Sequence, residues 1–488
     1  MKRIWVFLAV LVLFAGSGCK HAGNSSVSKL TPQLSVPAAT PTTAISEPSV
    51  TPKPEKQLPV RETDGTEPYY LPVFELNTRD GKGIYTKDEW LEATLTLSVY
   101  DEEKQSYERT ETYSCVYKGR GNSSWEADKK PFNIKFEKKV SLLGLPKAKK
   151  YSVLANYYDV SEMRNYVTYY IANILTKSNY KDGEVIPENY LGTGWKWSPK
   201  GEYAEFYIDG EYAGLFLVSE SVQISKNRLD LKEQNEEHSI PIDELGYLFE
   251  LSINGDNHWW TTKYLDRINM RGRGAKDFKG IPFTVKDPDY EKDLSEEEQK
   301  YVQQYISEIE DILFAEPSEE AWANIRNAVD VTSFADYWLV QALANNFEMI
   351  YIRSVFVYKD NGILYAGPIW DFDMGTYDEK AGNPYWQDVF YYAALFAYPE
   401  FGRVLKERWE YLRPYIETEV PELVEQTEKR IGMALYRNDC LYKWEKALLA
   451  DGSVFPPMQA ARIWGGWINS FLNTRISVID DQIVVDCP

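Results

Sequence analysis

Polar and apolar residues alternate near the start of the folded part of the chain. Residues 92–100 and 132–136 place every second side chain on one face, which is the spacing of a half-buried β-strand. Later β-rich runs are short, and one pair of them meets at Asp209-Gly210, a dipeptide typical of a hairpin turn. The pattern predicts strands within 69–139, a hairpin over 205–220, and strands at 247–251 and 282–286.

Other segments carry apolar residues at helical spacing. Asp159 and Ser161 offer capping groups before the first of these segments. A second hairpin, at 354–358 and 363–366, interrupts the helical half. Helices are predicted at 163–175, 296–314, 318–329 and 331–348, and from about 398 to the end except for a loop near 451–457. A sheet-rich first half and a helix-rich second half predict an α+β fold with two lobes and a cleft between them.

The first 66 residues have a different composition. Lys2 and Arg3 precede an apolar run, and small residues lead directly to Cys19, which is typical of a lipoprotein signal over 1–19. Gly16 stands where leucine is more usual, so simple cleavage and release is the alternative. Residues 20–66 are rich in Ser, Thr and Pro and are predicted to be a disordered linker. The folded domain is therefore predicted at 67–488, outside the cytoplasm and anchored to a bacterial membrane at the cell surface by lipid on Cys19.

Charge and cysteine content limit the possible partners. The formal net charge of -20 argues against nucleic acid as a partner. Once Cys19 is lipidated, three cysteines remain, so at most one disulfide is expected among Cys115, Cys440 and Cys487. None of the cysteines has metal-ligand spacing, and three histidines leave little for a zinc site.

Residues 367–375 (GPIWDFDMG) carry the clearest chemical signal. In an extended strand Asp371 and Asp373 would share one face, opposite Trp370 and Phe372. Two carboxylates held in this way suit Mg²⁺, and the alternative is a strand end with two solvated acids. Residues 119–125 (GRGNSSW) predict either a phosphate-binding loop or an ordinary connection between strands.

Several separated motifs occur in one order: RGNSSW at 120–125, KPFNIKF at 130–136, LAN and MRN at 154–156 and 163–165, GEYAG at 210–214, and PIWDFD at 368–373. In this order the chain resembles the CotH family, the spore-coat CotH-like proteins that are atypical secreted kinases. The core motifs span 119–375. The resemblance implies a protein-kinase-like fold that binds ATP with Mg²⁺ and phosphorylates serine in a secreted or cell-surface protein.

The resemblance also implies roles for individual residues. Lys135 is expected to contact phosphate, Arg164 to supply a second positive charge, and Glu220 to pair with the lysine or the metal. The alternatives are a solvated Lys135, an Arg164 paired with Asp159, and a Glu220 at the cleft rim. The nucleotide is expected to contact Arg120, Asn122 and Ser123 as well, and the metal to be held by Asp371, Asp373 and Asn346, with Asn345 as an alternative to Asn346.

One position departs from the family pattern. The family usually has an aspartate as the likely catalytic base where this chain has Glu348, two residues after Asn346. Glutamate is one methylene longer, and an error of about 1 Å at a reacting group can cost on the order of a hundredfold in rate. Glu348 is therefore either the base of an active kinase or the mark of a weak or inactive one.

The competing hypothesis is a surface binding or assembly protein that keeps the fold without the chemistry. The tryptophan pairs Trp195/Trp197 and Trp464/Trp467 would then be stacking platforms for polysaccharide.

Overall fold

The first β-rich segment closes into a barrel. The computed structural model describes residues 70–179, 192–252, 259–268, 280–378, 386–442, 455 and 459–486. Seven strands form the barrel in the order β1-β2-β3-β4-β5-β7-β6, and a parallel pairing of β1 with β6 closes it. The barrel strands are β1 (Val73–Thr78), β2 (Leu91–Asp101), β3 (Ser106–Gly119), β4 (Phe132–Val140), β5 (Ala148–Leu154), β6 (Gly201–Ile208) and β7 (Glu211–Glu220).

Alternation along the strands fills the barrel with apolar side chains. Phe74, Phe132, Phe206 and Phe216 meet at its centre, with ring centroids 5.1 to 6.0 Å apart. All four side chains are almost fully buried. Aromatic rings at these spacings gain edge-to-face contact in addition to burial, so this cluster is the main packing contact inside the barrel.

A second sheet lies outside the barrel. Its antiparallel strands run in the order β12-β11-β8-β10-β9. The sheet and the helices share one hydrophobic core, separate from that of the barrel. These strands are β8 (Tyr247–Leu251), β9 (Trp259–Thr261), β10 (Ile281–Asp287), β11 (Val355–Asp360) and β12 (Ile363–Ala366).

The described helices agree with most of the predicted ones. Helix α4 is buried along its whole length: most of its residues are apolar, and its buried Asp336 pairs with Arg408. The helices are α1 (Arg164–Ser178), α2 (Glu296–Leu313), α3 (Glu319–Ala328), α4 (Val331–Ala344), α5 (Glu348–Tyr351), α6 (Tyr392–Leu395), α7 (Pro399–Glu417), α8 (Glu419–Tyr442) and α9 (Gln459–Asp486). Short 3-10 turns lie at Ser123–Trp125, Ile242–Glu244, Leu265–Arg267 and Trp386–Asp388.

The predicted helix over 331–348 is wrong in its last turn. The chain leaves the helix at Asn345, whose φ of 47° is in the left-handed region. Asparagine tolerates this conformation better than most residues and is a common helix terminator. Helix α5 then begins at Glu348 in a new direction, so the break decides where the Glu348 side chain lies.

The β-rich first part and the helical second part confirm the α+β class. The two-lobed, kinase-like arrangement is not confirmed. The first part is a closed barrel, and every described residue belongs to one compact unit spanning Lys56–Pro488. Helix α8 joins the barrel through ion pairs from Arg430 to Glu202 and from Arg437 to Glu205, at 2.6 and 2.7 Å.

Several predictions fall outside the described residues: the signal over 1–19, Cys19, the linker over 20–66, Cys487 and most of the loop near 451–457. Within the described part, Cys115 and Cys440 are both free thiols, so no disulfide joins them. No described helix is long and apolar enough to span a bilayer.

The aromatic cluster in the barrel gives a test of the packing. We expect Phe206→Ala to lower the free energy of unfolding by about 3–5 kcal/mol, because it leaves a cavity among three other rings. Val99→Ala removes a side chain that is 40% exposed and should change stability by no more than about 0.5 kcal/mol. Urea unfolding followed by circular dichroism measures both. Equal losses in the two variants would contradict this account of the barrel core.

Candidate functional site

A cavity of about 380 Å³ lies where the barrel meets the second sheet and the loop that carries the acidic motif. Its lining is strongly charged and polar. The lining residues include Arg120, Asn122, Ser123, Asn133, Lys150, Ser152, Ser221, Glu250, Lys286, Glu348, Arg353, Ser354, Trp370, Asp371 and Asp373. The cavity therefore joins segments that are more than two hundred residues apart in the sequence.

The loop after β3 forms one wall of the cavity. Gly121 has a φ of 90°, and a Cβ there would lie 2.1 Å from the Ser124 hydroxyl, so only glycine fits. The Tyr158 hydroxyl donates to the Ser123 carbonyl at 3.0 Å and ties the loop to the segment before α1. Arg120, Asn122 and Ser123, the residues expected to contact a nucleotide, all line the cavity.

The acidic motif reaches the cavity as a loop. The extended geometry considered for the two aspartates is not observed: residues 367–372 have no regular secondary structure, and the φ of Asp371 is 71°. Asp371 and Asp373 nevertheless both line the cavity. A left-handed residue at this point turns the chain, so the turn, and not the two-residue period of a strand, brings both carboxylates to one side.

A buried hydrogen-bond chain holds this loop against helix α1. The Phe372 N–H donates to Oδ1 of Asn165 at 2.8 Å, and Nδ2 of Asn165 donates to Oδ1 of Asn156 at 2.9 Å. Both asparagines are at least 98% buried. Asn165 and Asn156 belong to the motifs noted in the sequence, but no local pattern indicated this positioning role.

Arg164 lies behind the acidic loop. It is absent from the lining of the cavity, and its Nη1 donates to the Asp373 carbonyl at 3.4 Å. Its Nε is 3.4 Å from Asp159, and its guanidinium lies over the Trp467 ring. The alternative reading, in which Arg164 pairs with Asp159, is thus the observed arrangement, although Arg164 also supports the backbone of the acidic motif.

Glu348 enters the cavity from the short helix α5. Its Oε2 is buried and has no hydrogen-bond partner among the described residues. Ser354 also lines the cavity, and its hydroxyl donates to Oδ2 of Asp371 at 3.0 Å. Glu348, Ser354 and Asp371 therefore form one polar group on the same side of the cavity.

Asn346 does not reach the cavity. Its Oδ1 accepts from the Glu348 N–H at 3.0 Å, and its Nδ2 donates to Gln341 at 2.8 Å. Asn345, the alternative ligand, donates to the Asp378 carbonyl and is also absent from the lining. Both asparagines therefore belong to the turn between α4 and α5, and neither is placed to bind a metal in the cavity.

The carboxylates of the cavity repel one another. Burial raises the pKa of Glu348 to about 9, and the charges of Asp371 and Asp373 add to this effect. Burial and the neighbouring Asp371 likewise raise the pKa of Asp373. Like charges at close range in a buried site favour protonation, so this side of the cavity has an excess of negative charge that a bound cation would relieve.

Basic side chains line other parts of the same cavity. Burial lowers the pKa of Lys150 to about 8, and the charges of Lys286 and Arg120 contribute. The Arg120 guanidinium lies 5.3 Å from the centre of the Trp370 ring, and Lys286 pairs with Glu250. An anion placed between Lys150 and Arg120 would favour their charged forms, so the cavity has complementary places for a cation and for an anion.

Lys135 is not part of this cavity. It lies exposed on the outer face of β4, with its ammonium 5.8 Å from the centre of the Trp90 ring. Its direct partner across the strand pair is Lys150 on β5, which does line the cavity. Asn133, two residues before Lys135 on the same face of β4, does line the cavity, so the wall of the cavity on this strand ends between Asn133 and Lys135.

Glu220 is also absent from the cavity lining. It is fully buried, 3.7 Å from Arg228, and accepts a hydrogen bond from the Lys200 N–H. Arg228 in turn donates to the carbonyls of Lys150 and Ser221, two residues that line the cavity. Glu220 and Arg228 therefore support the wall of the cavity from behind.

The two predicted tryptophan platforms differ in burial. Trp195 and Trp197 are at most 9% exposed. Trp464 packs against the core, and the Trp467 ring is covered by Arg164. The first pair is buried and presents no ring face to a polysaccharide, whereas Trp464 and Trp467 are half-buried.

A comparison of the sequence with known protein families matches the part of the chain that forms this cavity. A sequence model of the family described as CotH kinase protein matches residues 118–454, which is most of the chain. The chain therefore belongs to the CotH kinase family. The matched range contains every segment that lines the cavity. Among curated proteins, none matches the chain.

The raised pKa of Glu348 predicts a pH-dependent stability. The folded protein holds this proton more tightly than the unfolded chain does, so the free energy of unfolding should fall as the pH rises from about 4.5 towards 9. Glu348→Gln cannot ionise at this position and should show a smaller fall. Urea unfolding at pH 5 and pH 9, with EDTA present, measures the difference. Glu111→Gln, at an exposed position on β3, is the control, and identical pH dependence in all three proteins would contradict the assignment.

Proposed function

We propose that this CotH-family protein binds ATP with Mg²⁺ in the 380 Å³ cavity and transfers phosphate to a serine of a secreted or cell-surface protein. The observation that carries the proposal is the arrangement of charges. Asp371, Asp373 and Glu348 share a cavity with Lys150 and Arg120. Phosphoryl transfer depends mainly on positioning and on neutralising charge, and it needs both kinds of group in one place.

The carboxylates suit magnesium. Asp371 and Asp373 would hold the ion, which would neutralise charge on the phosphates when bound. Among the described residues, no group of three or more His, Cys, Asp or Glu side chains is arranged around one metal position. Mg²⁺ does not need such a group, because it commonly binds through one or two carboxylates together with substrate phosphates and water.

The basic side chains suit the phosphates. Lys150 and Arg120 would contact phosphate oxygens, and the loop at 121–124 would bring the side chains of Asn122 and Ser123 to them. Lys150 thereby takes the role that the sequence assigned to Lys135. Arg228 holds the Lys150 carbonyl at 2.7 Å and keeps this part of β5 in position.

Glu348 would be the general base. A base must be ionised to accept the proton of the acceptor serine, whereas burial and two nearby aspartates keep Glu348 protonated near neutral pH. A cation on Asp371 and Asp373 would offset their charges and lower the pKa of Glu348. Proton acceptance by Glu348 is therefore expected to depend on the metal being bound.

The buried, protonated state of Glu348 also supports a second candidate function. If neither metal nor nucleotide brings the pKa of Glu348 down far enough, the protein would bind nucleotide without transferring phosphate. It would then act as a catalytically weak or inactive surface binding or assembly protein. Nucleotide binding without transfer would select this alternative.

The location is part of the proposal. A lipid on Cys19 and the linker over 20–66 would hold the folded domain outside the cytoplasm, at the surface of a bacterial membrane. The acceptor would then be a protein that shares this location. Palmitate labelling of the wild type and of Cys19→Ala in cells tests the anchor separately from the chemistry.

Asp371 gives the direct test of the chemistry. With labelled ATP and Mg²⁺, we expect transfer to a serine-containing acceptor protein, and we expect Asp371→Ala to reduce it by at least about a hundredfold, since a metal-binding charge is lost. Asp88→Ala, at an exposed position outside the cavity, should retain activity. Transfer that is undiminished in Asp371→Ala would remove this site from the proposal.

The neighbouring lysines give a matched test of phosphate binding. We expect Lys150→Ala to weaken Mg-ATP binding roughly ten- to a hundredfold, because a charged hydrogen bond is worth about 1.5–3 kcal/mol. Lys135→Ala removes the same charge from the adjacent strand and should change the affinity by less than about twofold. Isothermal titration calorimetry measures both variants. The reverse order of effects would restore the original assignment of Lys135.

A further inference from the structure

A second and larger recess lies on the outer face of the barrel. It has a volume of about 730 Å³, within the range of roughly 300–1,000 Å³ that is usual for ligand sites. Trp90 lines this recess, and 37% of its surface is exposed. It does not line the charged cavity described above. We call this recess the Trp90 groove. Its other lining residues are Asn77, Arg79, Glu92, Ala93, Thr94, Ser114, Cys115, Val116, Lys135, Phe136 and Glu137.

Strand register arranges the groove in rows across four strands. Asn77, Thr94 and Ser114 are direct partners on β1, β2 and β3. In the next row, Glu92, Val116 and Lys135 are direct partners on β2, β3 and β4. Neighbouring strands lie about 4.8 Å apart, so four strands give a face roughly 14 Å across. Such a face is wide enough for a short oligomeric ligand.

The polar side chains of the groove are available to a ligand. Among the described residues, Asn77, Thr94, Ser114 and Glu137 have no side-chain hydrogen bond, and the Lys135 ammonium lies 5.8 Å from the centre of the Trp90 ring. The exception is the exposed pair between Arg79 and Glu92. Elsewhere on the barrel surface Arg109 pairs with Glu75. The groove thus combines an exposed indole with a row of free hydrogen-bonding groups.

The chemistry of these groups indicates the class of ligand. Strands β1 to β4 each pair on both sides, so no free edge is present there for a peptide strand to extend. An amphipathic helix would bind through its apolar face, which the hydroxyl groups of Thr94 and Ser114 in the groove do not match. A sugar ring has an apolar face that packs on an indole and hydroxyl groups that bond to amide, hydroxyl and carboxylate side chains.

The charge of the groove also suits a neutral ligand. It carries two basic and two acidic side chains, Arg79 and Lys135 against Glu92 and Glu137, whereas the whole chain has a net charge of -20. A local balance in an acidic protein removes the repulsion that an uncharged or weakly acidic polymer would otherwise meet. We propose that the Trp90 groove binds a neutral polysaccharide, independently of the nucleotide cavity.

Affinity electrophoresis tests the proposal with the purified full-length protein. Native gels would contain mixed-linkage β-glucan, xylan or galactomannan at graded concentrations. At least one polysaccharide should retard the protein, and Trp90→Ala should weaken binding at least about tenfold, because the stacking surface is lost. Asn77→Ala should weaken it less and serves as a second variant. Circular dichroism verifies that each variant is folded.

Two control variants make the result specific. Tyr85→Ala removes another exposed aromatic side chain, 45% exposed and outside the groove, and should leave the retardation unchanged. Asp371→Ala should also leave it unchanged, which separates this site from the nucleotide cavity. Absence of retardation by all three polysaccharides, or equal retardation of Trp90→Ala and wild type, would overturn the proposal. Binding of a synthetic peptide of residues 32–54 at Trp90, in place of any polysaccharide, would make the groove a peptide site and would also overturn it.

Discussion

The acidic loop depends on one buried amide. Asn165 on α1 accepts the Phe372 N–H and donates to Asn156, so this side chain satisfies the backbone N–H that lies between Asp371 and Asp373. The loop has no ladder of its own, and a buried N–H without a partner would cost about 1–3 kcal/mol. The positions of both carboxylates, and through them the charge of the cavity, follow from this contact.

With the loop fixed, the cavity holds charges that the fold alone does not balance. Glu348 keeps one oxygen without a partner, and its pKa is raised by burial and by Asp371 and Asp373. Buried groups of this kind cost stability unless a ligand compensates them. Arg164, Glu220 and Arg228 lie behind the wall and support its backbone. The carboxylates that line the cavity thus lack full compensation for their charge, whereas the charged side chains behind the wall are paired with one another or with Asp159.

The barrel separates two sites that are adjacent in register. Lys135 and Lys150 are direct partners on β4 and β5, yet one lines the Trp90 groove and the other lines the cavity. Strand β4 borders both sites, because Asn133 lines the cavity and Lys135, two residues further on the same face, lines the groove. The two lysines thus belong to separate but adjacent surfaces, and a ligand in the groove would lie beside the cavity.

The sequence determined the class of fold, most helices and strands, and the family. Strand β8 and the hairpin of β6 and β7 lie where alternation and Asp209-Gly210 placed them, because these signals act between residues close in the chain. Family motifs also located Arg120, Asn122, Ser123, Glu348, Asp371 and Asp373, all of which line the cavity. Only the tertiary structure decided that the sheet closes, that Lys150 and not Lys135 faces the cavity, and that Asn346 caps a helix. These outcomes depend on closure of the barrel and on left-handed turns at Asn345 and Asp371, which arise from contacts between distant segments that no local pattern encodes.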